Sequence, residues 1–537
     1  MLEYVRMLTR IVFALATMAA CTVNVPAAPT DEPPMSDDER AELAATVRAQ
    51  FEKRKIAPLA APELRGDAAR QEALVELGQA LAFDKILSDN KDISCMTCHP
   101  PSVGGDDDRT LSSGVGGVGL GPGRVGGPYI PRHAPSLFNL HASKALFWDG
   151  RLERLEDGSY VSPANEHMTP AMIEVFELGP ISALAMFPVT NRDEMRSHQP
   201  DGVEDDLCGV DDDDFTAMWD ALMHRLRAIP RYREMFAAAY PDWPGAGTAK
   251  IDTMSFAHAS NAIGAYIAQA FYAADTPWDA FVDGDDAAFA RVAELGLDLP
   301  AYVNERNILV GADKFLTQCA GCHGGPALTD DRFHNTGLAQ LGPGLGDGPG
   351  ANDDFGRARL VGLEEPLCGA PPMFAASCKY AFRTMPIRNV LLTAPYGHAG
   401  QFGRYGNDPD FATDLRHDLE DLHAFVGHYA VDVRDKLRAY QPGAIDAQLR
   451  DTMVHNTEDV IAHISPFFAK PVTTTEEDVD AITAFLVATT SIDLLKAGLQ
   501  SGSSSTVVRC GVIPSSVPSG LSLDTHGYDP AACYRAD

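Results

Sequence analysis

The chain has 537 residues, ten of them Cys, with 45% hydrophobic content and a formal net charge of -32. That length provides for two to four domains with sizeable cores. The acidity excludes nucleic acid as a partner, because phosphates are held by Lys and Arg; it suits a basic protein partner or a plainly solvated surface.

Arg6 and Arg10 precede an apolar run from Ile11 to Ala20, which predicts a secretory signal over residues 1–28 and export to the periplasm. The run is too short to span a bilayer. Small residues before Cys21 resemble a lipoprotein cleavage site, which would leave Cys21 lipidated as a membrane tether; cleavage near Ala27-Ala28 is the alternative. Residues 29–62 are rich in Pro, Ala and acids and read as a linker. From Asp67, an N-cap, Leu74, Leu77, Ala80 and Leu81 recur at helical spacing up to Phe83. Gly and Pro dominate Cys95 to Pro135, so that stretch is irregular. Helices are predicted over 170–186, 214–240 and 252–273. The second half repeats the plan, with a helix over 305–319, Gly-rich loops, and helices over 413–440, 445–465 and 475–497. Residues 499–537 form a Ser/Gly-rich tail.

Two motifs dominate the chemistry: Cys95-Met96-Thr97-Cys98-His99 and Cys319-Ala320-Gly321-Cys322-His323. Two thiols at i and i+3 reach the two vinyl groups of one haem, and the adjacent His points its imidazole at the iron. Zinc ribbons lack a His directly after the second Cys, and redox C-x-x-C pairs sit in a βαβ context that is missing here. The motifs predict two covalently bound haem c groups. The fold class is then mainly α, two cytochrome c-like domains with long irregular loops, over 63–295 and 296–498. Among the remaining cysteines, Cys368–Cys378 and Cys510–Cys533 are candidate disulfides in an oxidising compartment, leaving Cys208 unpaired.

The blocks around these motifs are Leu77-Gly78-Gln79-Ala80-Leu81-Ala82-Phe83-Asp84, Ala134-Pro135-Ser136-Leu137-Phe138-Asn139, Phe147-Trp148-Asp149-Gly150-Arg151, Ile387-Arg388-Asn389-Val390 and Thr393-Ala394-Pro395-Tyr396-Gly397-His398. Their order and spacing resemble the di-haem bacterial cytochrome c peroxidase/MauG family over about 75 to 430, with insertions around 155–180 and 340–380. The resemblance implies that the N-terminal haem, on His99, is peroxidatic and the C-terminal haem, on His323, transfers electrons. It places Pro188 and Glu194 in the distal pocket of the first haem and Trp148 between the two haems as a relay. A distal carboxylate moves a proton from the near to the far oxygen of peroxide, as base and then acid. The family's distal Gln is Leu184 here. Its blocking His is Val115, in Ser112-Ser113-Gly114-Val115-Gly116-Gly117, so the first haem is expected to be five-coordinate; His133 and His141 are the substitutes to consider.

The family's peroxidases close the second haem with Met, and MauG-like enzymes with Tyr. Here the ligand-bearing block ends at Tyr429. Leu422, Phe425, Val426 and Tyr429 fall on one helical face, while His423 and His428 point elsewhere. A core Tyr with a satisfied hydroxyl is the alternative. The family also holds calcium between its domains; the matching backbone positions are Thr393 and Pro395, and its Asn is His133 here. Calcium prefers oxygen.

Three functions compete. One is peroxide reduction with electrons from a small cytochrome c or cupredoxin. Another is MauG-like oxidation of Trp or Tyr side chains of a protein substrate. The last is a non-catalytic di-haem electron carrier or sensor.

Overall fold

The computed structural model describes residues 35–198, 207–297, 299–362, 368, 378–403, 415–441, 447–468, 474–501 and 511–525. The signal segment, Cys21, Cys510 and Cys533 lie outside these residues. The longer helices are α1 (Asp37–Arg48), α2 (Ala68–Phe83), α3 (Phe215–Arg227), α4 (Pro230–Ala239), α5 (Phe256–Ala270), α6 (Glu305–Gln318), α7 (Leu415–Tyr429), α8 (Glu476–Ala488) and α9 (Ile492–Ser501). Strands are short. β1 (Ala145–Leu146), β2 (Leu152–Arg154) and β3 (Tyr160–Val161) pair antiparallel, as do β4 (Phe333–His334) and β5 (Phe382–Arg383). The fold is mainly α, with long irregular connections.

Local chemistry sets several boundaries. The Asp67 carboxylate accepts from the Arg70 amide at 2.9 Å and starts α2 where the pattern predicts it. Asp214 caps α3 in the same way, from Ala217. The helix expected over 214–240 is two helices, because Pro230 begins α4 and interrupts the hydrogen-bond ladder. The stretch 170–186 is only short turns, two of them opened by Pro170 and Pro180.

Two hydrophobic cores result. In the first, α2 packs on α5 and α4. In the second, α6 packs on α8, with α1 laid along α6. Both cores use one device. A Cβ on Gly78 would lie 1.8 Å from the Ala262 carbonyl oxygen on α5, and one on Gly311 would lie 1.8 Å from the Ala481 oxygen on α8. Each glycine lets the helix that precedes a C-x-x-C-H motif touch the backbone of a later helix. This is the internal repeat in physical form. Gly78→Ala and Gly311→Ala are each expected to cost about 1–3 kcal/mol through overpacking, since the opposing atoms are backbone and cannot swing away. Denaturant unfolding measures this; a loss under about 0.5 kcal/mol would show that the helices separate freely.

The domain boundaries differ from the sequence expectation. The cores exchange near residue 273, not 295, because Trp278, Phe281 and Phe289 are buried in the second core. Part of the 29–62 linker is α1, whose Ala44 and Val47 also enter the second core and whose Arg48 pairs with Asp286 at 2.7 Å. The described part of the tail, 511–525, packs on the first half. Val512 and Val517 are buried in the first core, and Ser519 donates to Asp84 at 2.6 Å. Segments 37–48 and 512–519 thus cross over, each bracing the opposite half.

Candidate functional site

The first motif is a single helical turn, Cys95–Cys98, capped by Ser94 and Thr97. The Thr97 hydroxyl donates to Asp524 of the returning tail, and Lys85 pairs with Asp524 at 2.7 Å. His99 follows the turn, and its Nδ1–H donates to the Gly105 carbonyl at 2.7 Å. In the second motif Cys319 ends α6, and the His323 Nδ1–H donates to the Leu328 carbonyl at 3.0 Å. In both, a carbonyl fixes the tautomer and leaves Nε2 as the free nitrogen, as a metal-ligating His requires. Burial pushes the Cys95 thiol up to about 11 and the Cys319 thiol up to about 12. Cys208 is a free, buried thiol, and Cys368 and Cys378 form a disulfide.

Each motif faces its own cavity. One, of about 440 Å³, is lined by Cys95, Cys98, His99, Leu184, Pro188 and Glu194. The other, of about 370 Å³, is lined by Cys319, Cys322, His323, Leu422, Phe425, Val426 and Tyr429. Sizes in this range are those of cofactor sites. The free imidazole nitrogens, paired thiols and apolar walls fit a haem in each.

Glu194 lies in a turn whose amides at Asp193 and Glu194 donate to the Asn191 side chain, at 2.9 and 3.2 Å. Burial raises its carboxyl above the ordinary range, against the pull of Arg151. The Gly-rich loop is strapped to this turn. The Val115 amide donates to the Glu194 carbonyl at 3.0 Å, and a Cβ on Gly114 would sit 1.7 Å from the Asp193 oxygen. Val115 is buried in the first core. His141 lies away from both cavities, bonded to the Ala60 carbonyl at 2.8 Å.

Trp148 lines both cavities, together with His133, Pro135, Leu140 and Arg383. Its indole N–H donates to the His133 carbonyl at 2.8 Å, and its own carbonyl accepts from the Arg383 amide at 2.7 Å. It therefore spans the partition between the two halves. Arg132 locks that partition, pairing with Asp149 at 2.7 Å and with Asp354 at 2.7 and 2.9 Å.

In the second cavity the face Leu422, Phe425, Val426 and Tyr429 points inward, as its periodicity predicts. His428 turns away and donates to the Thr336 carbonyl at 3.0 Å, and His423 pairs with Asp480 at 2.8 Å. Burial pushes the Tyr429 phenol up to about 12. Sequence reasoning missed His334, Met385 and His398, which line this cavity too. His398 stacks on Phe382 at 3.8 Å between Gln340 and Gln401, and His334, despite its burial, is raised to about 9 by Asp330. His398 closes the block Thr393-Ala394-Pro395-Tyr396-Gly397-His398 without a predicted role, and His334 belongs to no pattern.

The implied calcium does not fit. Thr393 and Pro395 line the second cavity. His133, however, offers only ring nitrogens, and its Nδ1–H already donates to the Arg109 carbonyl at 2.9 Å. Calcium takes oxygen ligands.

A helical protein with two such cavities, partitioned by one Trp, has the make-up of a two-centre haem protein. The family model described as di-haem cytochrome c peroxidase matches residues 72–287, and that part of the chain is similar to this family, whose description implies haem cofactors. The chain is 28% identical over 329 residues to the methylamine utilization protein MauG of Methylorubrum extorquens, covering 61% of this chain and 65% of that one. It is 29% identical over 350 residues to the cytochrome c551 peroxidase of Pseudomonas aeruginosa, covering 65% and 73%. Alignment with the crystal structure of a MauG-like protein associated with microbial copper homeostasis has a TM-score of 0.48 at 23% identity, over 81% of this chain and 94% of that one.

Proposed function

We propose that the protein is an exported di-haem c oxidoreductase that reduces hydrogen peroxide with electrons from a protein donor. The observation that carries this reading is Glu194 in one cavity with His99. Haem iron held by His99 would supply the site where the O–O bond of peroxide is cleaved. The chain's own residues do the rest. Glu194 takes a proton from the near oxygen and returns it to the far one. Pro188 and Leu184 keep the pocket apolar around it, and Trp148 carries electrons across the partition. The balance is one peroxide, two protons and two electrons to two waters. Cys95 and Cys98, and Cys319 and Cys322, would hold the haems as thioethers. The position of the family's blocking His is Val115, an apolar side chain buried in the first core, which supports an uncapped peroxide site. A pure electron carrier would cap both irons.

Mixing the holoprotein with peroxide and a reduced small cytochrome c or cupredoxin tests the reading. Rapid oxidation of the donor is expected, and none would overturn it. A second reading, MauG-like oxidation of Trp or Tyr side chains of a partner protein, is favoured by Tyr429 in the second cavity. A phenolate ligand stabilises ferric and higher states. Tyr429→Phe is expected to alter the absorption spectrum of the second haem alone; an unchanged spectrum would remove Tyr429 as its ligand. The acidic chain suits a basic partner in either case. Export places the enzyme in the periplasm, soluble or tethered through Cys21.

A further inference from the structure

The wall of the first cavity is not built by the first half alone. Leu345, Arg359 and Leu360, from the second half, line it together with His99, Pro188 and Glu194. Leu360 lines the cavity yet is 40% exposed, so it stands where the cavity meets solvent.

The segment 344–361 that carries these residues is braced at several points. The Leu345 amide donates to the Asp353 carbonyl at 2.9 Å, and Asp347 and Asp353 pair through their backbones. The Arg359 guanidinium donates to the Leu345 carbonyl at 2.6 Å and pairs with Asp347 at 2.6 Å, so it is held along the rim. Arg357 pairs with Glu153 at 2.8 Å and donates to the Gly150 carbonyl at 3.0 Å, and Asp354 holds Arg132. These last contacts clamp the segment onto the half that carries His99. These contacts fix the backbone that presents Leu345 and Leu360 to the cavity.

We propose that segment 344–361 is the selectivity rim of the first cavity, with Leu345 and Leu360 admitting hydrogen peroxide and excluding organic hydroperoxides. This rests on the reading of the His99 cavity as the peroxide site. A hydroperoxide must bring its hydroperoxyl end to Glu194, and an alkyl group on the other end would then collide with the two leucines. Shape discrimination by apolar walls is worth roughly tenfold to a few hundredfold in rate.

The test uses the holoprotein with Leu345→Ala/Leu360→Ala and with Leu360→Trp. Two ratios are measured. One is the rate with tert-butyl hydroperoxide relative to hydrogen peroxide. The other, independent of turnover, is the binding rate of imidazole relative to cyanide at the first haem, read by absorption. The double variant should raise both ratios about tenfold, and Leu360→Trp should lower both. Ratios unmoved in both variants would overturn the rim. If no form of the protein reacts with either peroxide, the peroxidase reading fails, while the imidazole-to-cyanide ratio still decides the rim.

Discussion

Glu194→Gln is expected to slow the reaction with hydrogen peroxide by about 10²- to 10⁴-fold while both haems remain bound. Gln keeps the size and the polar contacts of the side chain but can neither accept nor return a proton. Burial raises the Glu194 carboxyl, so in the parent protein the base form appears above the ordinary carboxylate range. The rate should therefore climb with pH through that raised value. In Glu194→Gln the climb should vanish and the residual rate should be flat. Stopped-flow measurement of the peroxide reaction across pH, with the haem spectrum as a loading control, checks both statements. A variant that reacts at the parent rate would remove Glu194 from the proton transfer and leave a haem pair with no chemistry of its own.

Arg132→Met is expected to cost about 3–5 kcal/mol of stability at pH 7, because it leaves buried Asp354 without its cation and Asp149 with Arg151 alone, at 3.4 Å. Arg132 is 6% exposed and joins Asp149 of the first half to Asp354 of the second. Burial would raise both acids, but Arg132 outweighs it and holds their carboxyl groups below the ordinary range. A depressed carboxylate contributes stability that is present above its unfolded value, about 4, and is lost as pH falls through the folded value. In Arg132→Met the contribution from Arg132 is gone, and protonating the acids it leaves behind becomes a relief. The gap between parent and variant should therefore narrow as pH falls below about 5. Chemical unfolding at pH 7 and pH 4 measures this; a gap that widens on acidification would contradict it. Because the pair crosses the partition carrying Trp148, the variant should also slow electron exchange between the haems.

The sequence by itself determined the local features. The two C-x-x-C-H motifs were legible as candidate haem sites, since thiol and imidazole spacing is a property of consecutive residues. The face carrying Leu422, Phe425, Val426 and Tyr429 was legible because helical periodicity spans only two turns, and it lines the second cavity. The Asp67 cap was legible for the same reason. Contacts between distant segments were not. Helix α1 enters the second core, the tail reaches Thr97 in the first motif, and Leu360 reaches the cavity of His99. Local pattern can shape such a segment, as it does helix α1, but it does not encode the distant partner. His334 and His398 share this fate, because short strands and irregular loops carry them into the cavity. The sequence already set His133 where the family has its calcium-binding Asn, and the fold adds that this ring donates to the Arg109 carbonyl. Tertiary structure thus decided which half completes which cavity, because closing a cavity requires apolar surface from segments hundreds of residues apart to be buried together.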